Sequence, residues 1–159
     1  MSSIATHLWF DSQAEEAAKF YTSLLSGSSI DAVSRYPLEI ENKPAGSVMQ
    51  VNLTLQGQKY VFLNGGPQFP FNSQVSIFVL CEDQAEVDTY WEAFLTAGGQ
   101  EVQCGWLTDQ FGLSWQIIPR QLEELMSDPG RAVAQRVTQA MLKMKKIDVA
   151  VLESARDAT

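Results

Sequence analysis

His7 is the only histidine in the chain, and an imidazole is the side chain best suited to move a proton near neutral pH. The other reading of His7 is a buried ring hydrogen-bonded across a sheet. Trp9, two positions on, and Trp106 offer aromatic walls for a flat or apolar ligand, or simple filling of a cleft. Gln116 carries an amide that either orients a ligand carbonyl or satisfies a neighbouring strand. Cys104 would act as a nucleophile only beside a base that draws off its proton. No histidine accompanies it, so an inert thiol is the expectation. Asp109 stands just before Phe111-Gly112, where a carboxylate caps a turn more readily than it serves as a general base. The candidate ligand-binding set is therefore His7, Trp9, Trp106 and Gln116, with no catalytic residue assigned.

These residues need a scaffold, and the chain spells out one plan twice. Residues 4–10 are apolar and aromatic enough for a strand. Asp11 or Ser12 offers a helix cap, and Ala14, Ala17, Ala18, Leu24 and Leu25 carry a helix over about 13–26 to Gly27. Strand candidates follow at 29–36, 47–56 and 59–63, separated by Pro37, Pro44, Gly46 and Gly57. The order then recurs. There is a strand at 75–81, a cap at Glu82 or Asp83, and a helix over 84–97 ended by Gly98-Gly99. Short strands follow at 101–104, 106–108 and 113–118.

A shift of 71 positions lays Gln13-Ala14-Glu15 on Gln84-Ala85-Glu86, Phe20 on Trp91, Leu24 on Leu95 and Gly27 on Gly98, as an internal repeat would. The pattern predicts one α+β domain over 1–159, built of two paired βαβββ modules and a C-terminal helix. Module one spans about 4–66, module two about 74–119 and the helical tail about 120–153. Side-chain alternation assigns the faces. Leu8 and Phe10 go under the first helix, leaving Ala5, His7 and Trp9 toward a cleft. Trp115 and Ile117 go under the second, leaving Ser114, Gln116 and Ile118 toward that cleft.

In the tail, Ser127 or Asp128 is placed to cap a helix with Pro129 at its first position. Val133, Val137, Met141 and Met144 form an amphipathic stripe, and a second short helix is expected from Asp148. Lys143, Lys145 and Lys146 read as a solvated helix end.

Composition narrows the partners. With 19 acidic and 11 basic residues the formal charge is −8, which repels nucleic-acid phosphates and anionic lipid. Cys81 and Cys104 make neither a C-x-x-C pair nor a zinc spacing. The first ten residues carry no signal-peptide pattern, and no apolar run approaches the roughly 20 residues that span a bilayer. The expectation is a cytoplasmic protein, binding neither nucleic acid nor membrane.

Several segments resemble the PhnB-like branch of the vicinal-oxygen-chelate superfamily (glyoxalase and bleomycin-resistance proteins), a branch that often carries a demethylubiquinone methyltransferase name. They are His7-Leu8-Trp9-Phe10 with Ala14-Glu15-Glu16-Ala17-Ala18, then Asn64-Gly65-Gly66-Pro67, the run from Cys104 to Pro119, and Ala134-Gln135-Arg136-Val137 onward to Asp148. The resemblance implies the paired βαβββ fold and frequent homodimers. It also implies a divalent metal on four strands, whose equivalent positions here are Ala5, Val61 (or Leu63), Ser76 and Gln116. Ala5 and Val61 have no donor atom, and a neutral serine is a poor ligand for zinc or iron. No metal and no cofactor are expected.

Methyl transfer on a doubly wound sheet would want a glycine-rich turn after the first strand, and Phe10 is followed by Asp-Ser-Gln-Ala. The function expected is metal-free binding of a small molecule in the cleft between the modules. The alternative is a metal-dependent isomerase, lyase or dioxygenase using His7 and Gln116. The assembly expected is a homodimer in which residues 64–71 or 127–153 reach the other subunit.

Overall fold

Leu8 and Phe10 are buried while His7 is exposed and Trp9 half-buried, the alternation of a strand with one face under a helix. This strand, β1 (Thr6–Phe10), leads through α1 (Ala14–Leu24) to β2 (Ser29–Arg35), β3 (Val48–Leu55) and β4 (Gln58–Asn64). The sheet runs β1-β4-β3-β2, with β1 parallel to β4 and the other pairs antiparallel. The computed structural model describes residues 3–158, and the chain divides into two compact units, Met1–Phe71 and Asn72–Thr159.

The second unit repeats the order with β5 (Ser76–Cys81), α2 (Gln84–Thr96), β6 (Gln100–Glu101), β7 (Trp106–Thr108) and β8 (Ser114–Pro119). Its sheet runs β5-β8-β7-β6, again with one parallel pair, β5 with β8. Each unit is thus a βαβββ module of an α+β fold. Among the described residues no helix is long and apolar enough to cross a membrane.

The 71-residue shift holds for the first strands, where buried Leu8 and Phe10 correspond to buried Val79 and Cys81. It fails for the helices. The buried face of α1 is Ala14, Ala17, Ala18 and Tyr21, and that of α2 is Val87, Tyr90, Trp91 and Phe94. The two faces match position by position at a shift of 73 (14 to 87, 17 to 90, 18 to 91, 21 to 94). The bulk is distributed differently too. In unit one alanines let the helix settle on Phe10, Phe62 and Leu53 of the sheet. In unit two the helix brings its own aromatics, and Phe94 meets Trp115 at a ring-centroid distance of 4.8 Å.

Helix entry corrects one expectation. Neither Asp11 nor Ser12 caps α1. The Asn64 side-chain oxygen, at the end of β4, accepts from Ala14 N at 2.8 Å, while its Nδ2 donates to Val48 O at 3.0 Å. Tyr36 Oη donates to the Asn64 carbonyl at 2.7 Å. One buried asparagine therefore joins helix, two strands and crossover. On α2 the cap is Asp83, which accepts from Glu86 N.

The expected strand over 101–104 is shorter than predicted. It stops at Glu101, because Cys104 has φ +56° and Gly105 φ +82°, which turn the chain instead of extending it.

The tail holds three helices: α3 (Arg120–Met126), α4 (Arg131–Met141) and α5 (Val149–Asp157). α3 follows β8 directly and was not anticipated as a separate helix. Asp128 does not cap α4; its carboxylate accepts from Gly130 N in a turn, and Gly130 is the residue before the helix. Asp148 does cap α5, accepting from Val151 N at 3.1 Å. The apolar stripe packs within its own unit. Val137, Ile147 and Leu152 join Ile118, Leu122 and Leu125 in one cluster, with Val133, Met141 and Met144 packed against it. Lys145 and Lys146 lie past the end of α4, partly exposed, and bridge to Glu101 at 3.1 Å and Asp88 at 2.6 Å.

Candidate functional site

Strand parity puts a partly exposed row on unit two's sheet. Val79 and Cys81 of β5, Leu107 of β7, and Trp115 and Ile117 of β8 are buried on the helix side. Their alternates face the other way. Phe78 is the register partner of Gln116, and Gln116 is in turn the partner of Trp106. An amide thus stands between two aromatic side chains on neighbouring strands, at the spacing of about 5 Å at which such pairs interact. Phe78 is 47% exposed, an unusual state for a phenylalanine in mid-strand. The next row contains Ser76, Ser114 and Thr108. Gln116 Nε2 donates to Ser76 Oγ at 2.9 Å.

Two sequence candidates, Trp106 and Gln116, are therefore brought together. Phe78 was missed. Its signal was available, because it alternates with Ser76 on the same strand and so shares a face with Gln116.

His7 and Trp9 lie on the equivalent face of unit one's sheet, with Val61 and Leu63 of β4 as register partners. His7 is exposed, which removes the expectation of a buried, cross-sheet imidazole. Trp9 is engaged structurally. Its Nε1 donates to Gly66 O at 2.8 Å, and Phe69 meets it edge-on at 5.1 Å. A Cβ on Gly65 would collide with the Trp9 ring. The Asn-Gly-Gly-Pro crossover is thus shaped by one indole. Phe71 packs edge-on against Phe10 at 5.0 Å, whereas Phe69 stays 64% exposed.

The remaining candidates have structural roles. Asp109 is buried, and its carboxylate accepts from Phe111 N (2.9 Å), Leu113 N (3.0 Å) and Trp115 Nε1 (2.8 Å), the turn cap expected of it. Cys81 and Cys104 are free thiols. Burial, reinforced by Glu86 and Asp83, pushes Cys81 up to about 12, so it holds its proton at physiological pH. Cys104 occupies the β6–β7 turn. A groove of about 680 Å³ opens within unit one beside Asp11, Glu15, Lys43 and Gln68. Tyr36 and Asn64, which also line it, bond each other.

The positions equivalent to the superfamily's metal ligands do not fit a divalent ion. Ala5 and Val61 have no donor atom. Ser76 and Gln116 are hydrogen-bonded together. Among the described residues no group of three His, Cys, Asp or Glu side chains is placed to hold a metal.

A family model described as 3-demethylubiquinone-9 3-methyltransferase matches residues 2–118. A putative 3-demethylubiquinone-9 3-methyltransferase, PhnB protein, from Bacillus cereus is 33% identical, with a TM-score of 0.65. The alignment covers 74% of this chain and 99% of that one. Protein PA1353 from Pseudomonas aeruginosa shares the fold at 21% identity and a TM-score of 0.61, over 75% of this chain and 98% of that one. No curated protein matches.

Proposed function

The chain belongs to the family of that model, the PhnB-like branch of the vicinal-oxygen-chelate superfamily, and from that premise we propose that it binds a small, flat, mostly apolar molecule without a metal. The observation that carries this reading is the row Phe78–Gln116–Trp106 on the face of unit two's sheet away from α2, where Phe78 is exposed and the other two half-buried. Two aromatic surfaces hold a flat ligand by stacking and burial, and the amide between them fixes its orientation. Gln116 Nε2 donates one hydrogen to Ser76, and the amide oxygen can accept from a ligand N–H or O–H.

Methyl transfer forms no part of this reading. Each sheet has a single parallel pair and three-quarters of its strands in antiparallel pairing, unlike the doubly wound sheet that presents a nucleotide cofactor. Phe10 enters α1 through Asp11-Ser12-Gln13, with no glycine to admit a cofactor. The alternative, metal-dependent isomerase, lyase or dioxygenase chemistry, would need donors where Ala5 and Val61 have none.

The reading places the chain in the cytoplasm, where free thiols such as Cys81 and Cys104 persist. It includes a homodimer, supported by exposed Phe69 in the crossover. Light scattering at micromolar concentration tests that part, and a mass near 17.7 kDa would reject it.

For the site itself, the probe is N-phenyl-1-naphthylamine, a neutral aromatic amine whose fluorescence rises on entering an apolar site. Trp106→Ala and Gln116→Ala should each weaken its binding, Trp106→Ala by about tenfold, with the far-ultraviolet circular dichroism unchanged. Equal affinity in both variants and the parent chain would reject the reading.

A further inference from the structure

The family match ends at residue 118, so the three tail helices lie outside it. They nonetheless reach the face just described. Ile118 is two residues beyond Gln116 on β8 and points to the same side, yet it is buried in the tail's apolar cluster. On a strand, that puts the tail about 6–7 Å from the Gln116 position.

The connection to Trp106 is more direct. The β6–β7 turn that precedes it is held by the tail's backbone. Cys104 N donates to Met144 O at 2.9 Å, and Gly105 N donates to Lys145 O at 2.7 Å. Gly105 is a glycine for two reasons. Its φ is +82°, and an added Cβ would lie 2.6 Å from Ile118 Cδ1 and 3.1 Å from Ile147 Cγ1. Trp106 N then donates to Gln103 O at 3.0 Å, closing the turn.

The tail segment is itself clamped to α2. Gln84 Nε2 donates to Ile147 O at 3.0 Å, and Val149 N donates to Gln84 Oε1 at 2.8 Å. Lys146 Nζ donates to Asp88 Oδ1 at 2.6 Å, and Gln84 Nε2 reaches the same oxygen at 3.0 Å.

We propose that the C-terminal tail is a working part of the ligand face: residues 144–147, clamped by Gln84 and Asp88, hold the turn that sets Trp106 beside Gln116, and the tail bounds the face on its Ile118 side. Gln84 and Lys146 are positioning residues, since they act through Trp106 and touch no ligand. The inference rests on the small-molecule reading above and extends it. It accounts for why the clamp joins helix, turn and tail at one place, and why glycine occupies position 105.

The test uses the full chain with N-phenyl-1-naphthylamine as probe, together with amide hydrogen exchange. Lys146→Asp and Asp88→Lys, made singly, break the clamp's ion pair; the double variant restores it with reversed charge. Gln84→Ala removes the neutral part of the clamp. Each single variant should speed exchange at the Cys104 and Gly105 amides and weaken probe binding about fivefold. Exchange at Phe94 should stay slow, and the charge-swapped double variant should recover most of both effects. Faster exchange at 104–105 with unchanged probe affinity would overturn the inference and leave the ligand face standing. If Trp106→Ala also leaves affinity unchanged, the small-molecule reading falls and takes this inference with it.

Discussion

Gln116 Nε2 donates a 2.9 Å hydrogen bond to Ser76 Oγ across the parallel pair β5–β8. Of the four strand positions where this superfamily places metal ligands, the two that retain polar atoms are thus bonded to each other. The other two, Ala5 and Val61, have none. A divalent ion of the zinc or iron type needs three or four donors at about 2.0–2.2 Å.

Protein purified without an affinity tag should therefore carry well under one zinc, iron or manganese per chain by elemental analysis. A stoichiometric ion that survives dialysis, and is lost in Gln116→Ala, would restore the metal-dependent reading.

Gly65→Ala should destabilise the protein by about 1–3 kcal/mol, because the added methyl overlaps the Trp9 ring and the crossover must shift. Urea unfolding measures it. Since the two residues are in contact, their effects should not add: Gly65→Ala should cost less in a Trp9→Ala background than in the parent chain. Equal costs in the two backgrounds would show that the indole is not what excludes a side chain at position 65.

Asp109→Asn tests the buried turn cap. The carboxylate accepts three hydrogen bonds, two at Oδ1 and one at Oδ2. An amide has only one accepting end, so a donor must face a donor whichever way it is turned. The expected loss is about 1–3 kcal/mol of unfolding free energy. A change within a few tenths would mean that the turn relaxes freely.

Asp31 supplies a pH test on unit one. Its carboxylate accepts from Thr54, Lys59 and Ser29, and these bonds, Thr54 first, lower its pKa from 3.8 to about 2. A carboxylate depressed in the folded state stabilises the fold above its unfolded value. That contribution is lost as the pH falls from about 4 through about 2. A carboxyl-carbon titration by nuclear magnetic resonance should find the folded midpoint near 2, and Thr54→Val should move it toward 3.8. The group is exposed, so its share of stability is small. A midpoint already at 3.8 in the parent chain would show that the Ser29–Thr54–Lys59 network does not hold in solution.

The sequence by itself determined the two βαβββ modules and the sidedness of their strands, and it shows which superfamily ligand positions lack a donor atom. Those features rest on local signals. Period-two alternation places Leu8 and Phe10 under α1, and Trp115 and Ile117 under α2. A missing donor atom at Ala5 or Val61 is visible from the residue type alone. The candidate pair Trp106 and Gln116 was readable because both lie on strands of known parity.

Tertiary structure decided whatever depends on contacts between residues distant in sequence. Asn64 caps a helix fifty residues before it, and no local pattern announces a cap supplied by another strand. The tail stripe, with Met141 and Met144, was equally suited to a partner subunit; Ile118 and Ile147 direct it onto its own sheet. No local pattern announces that the fold sets Glu101 and Asp88 opposite Lys145 and Lys146. The helix faces drifted two residues from the strand repeat, because packing requires only that a buried stripe meet the sheet, with three alanines and Tyr21 on one helix and Val87, Tyr90, Trp91 and Phe94 on the other. Periodicity fixes which side of an element is apolar, whereas the neighbour that covers it is set by the whole chain.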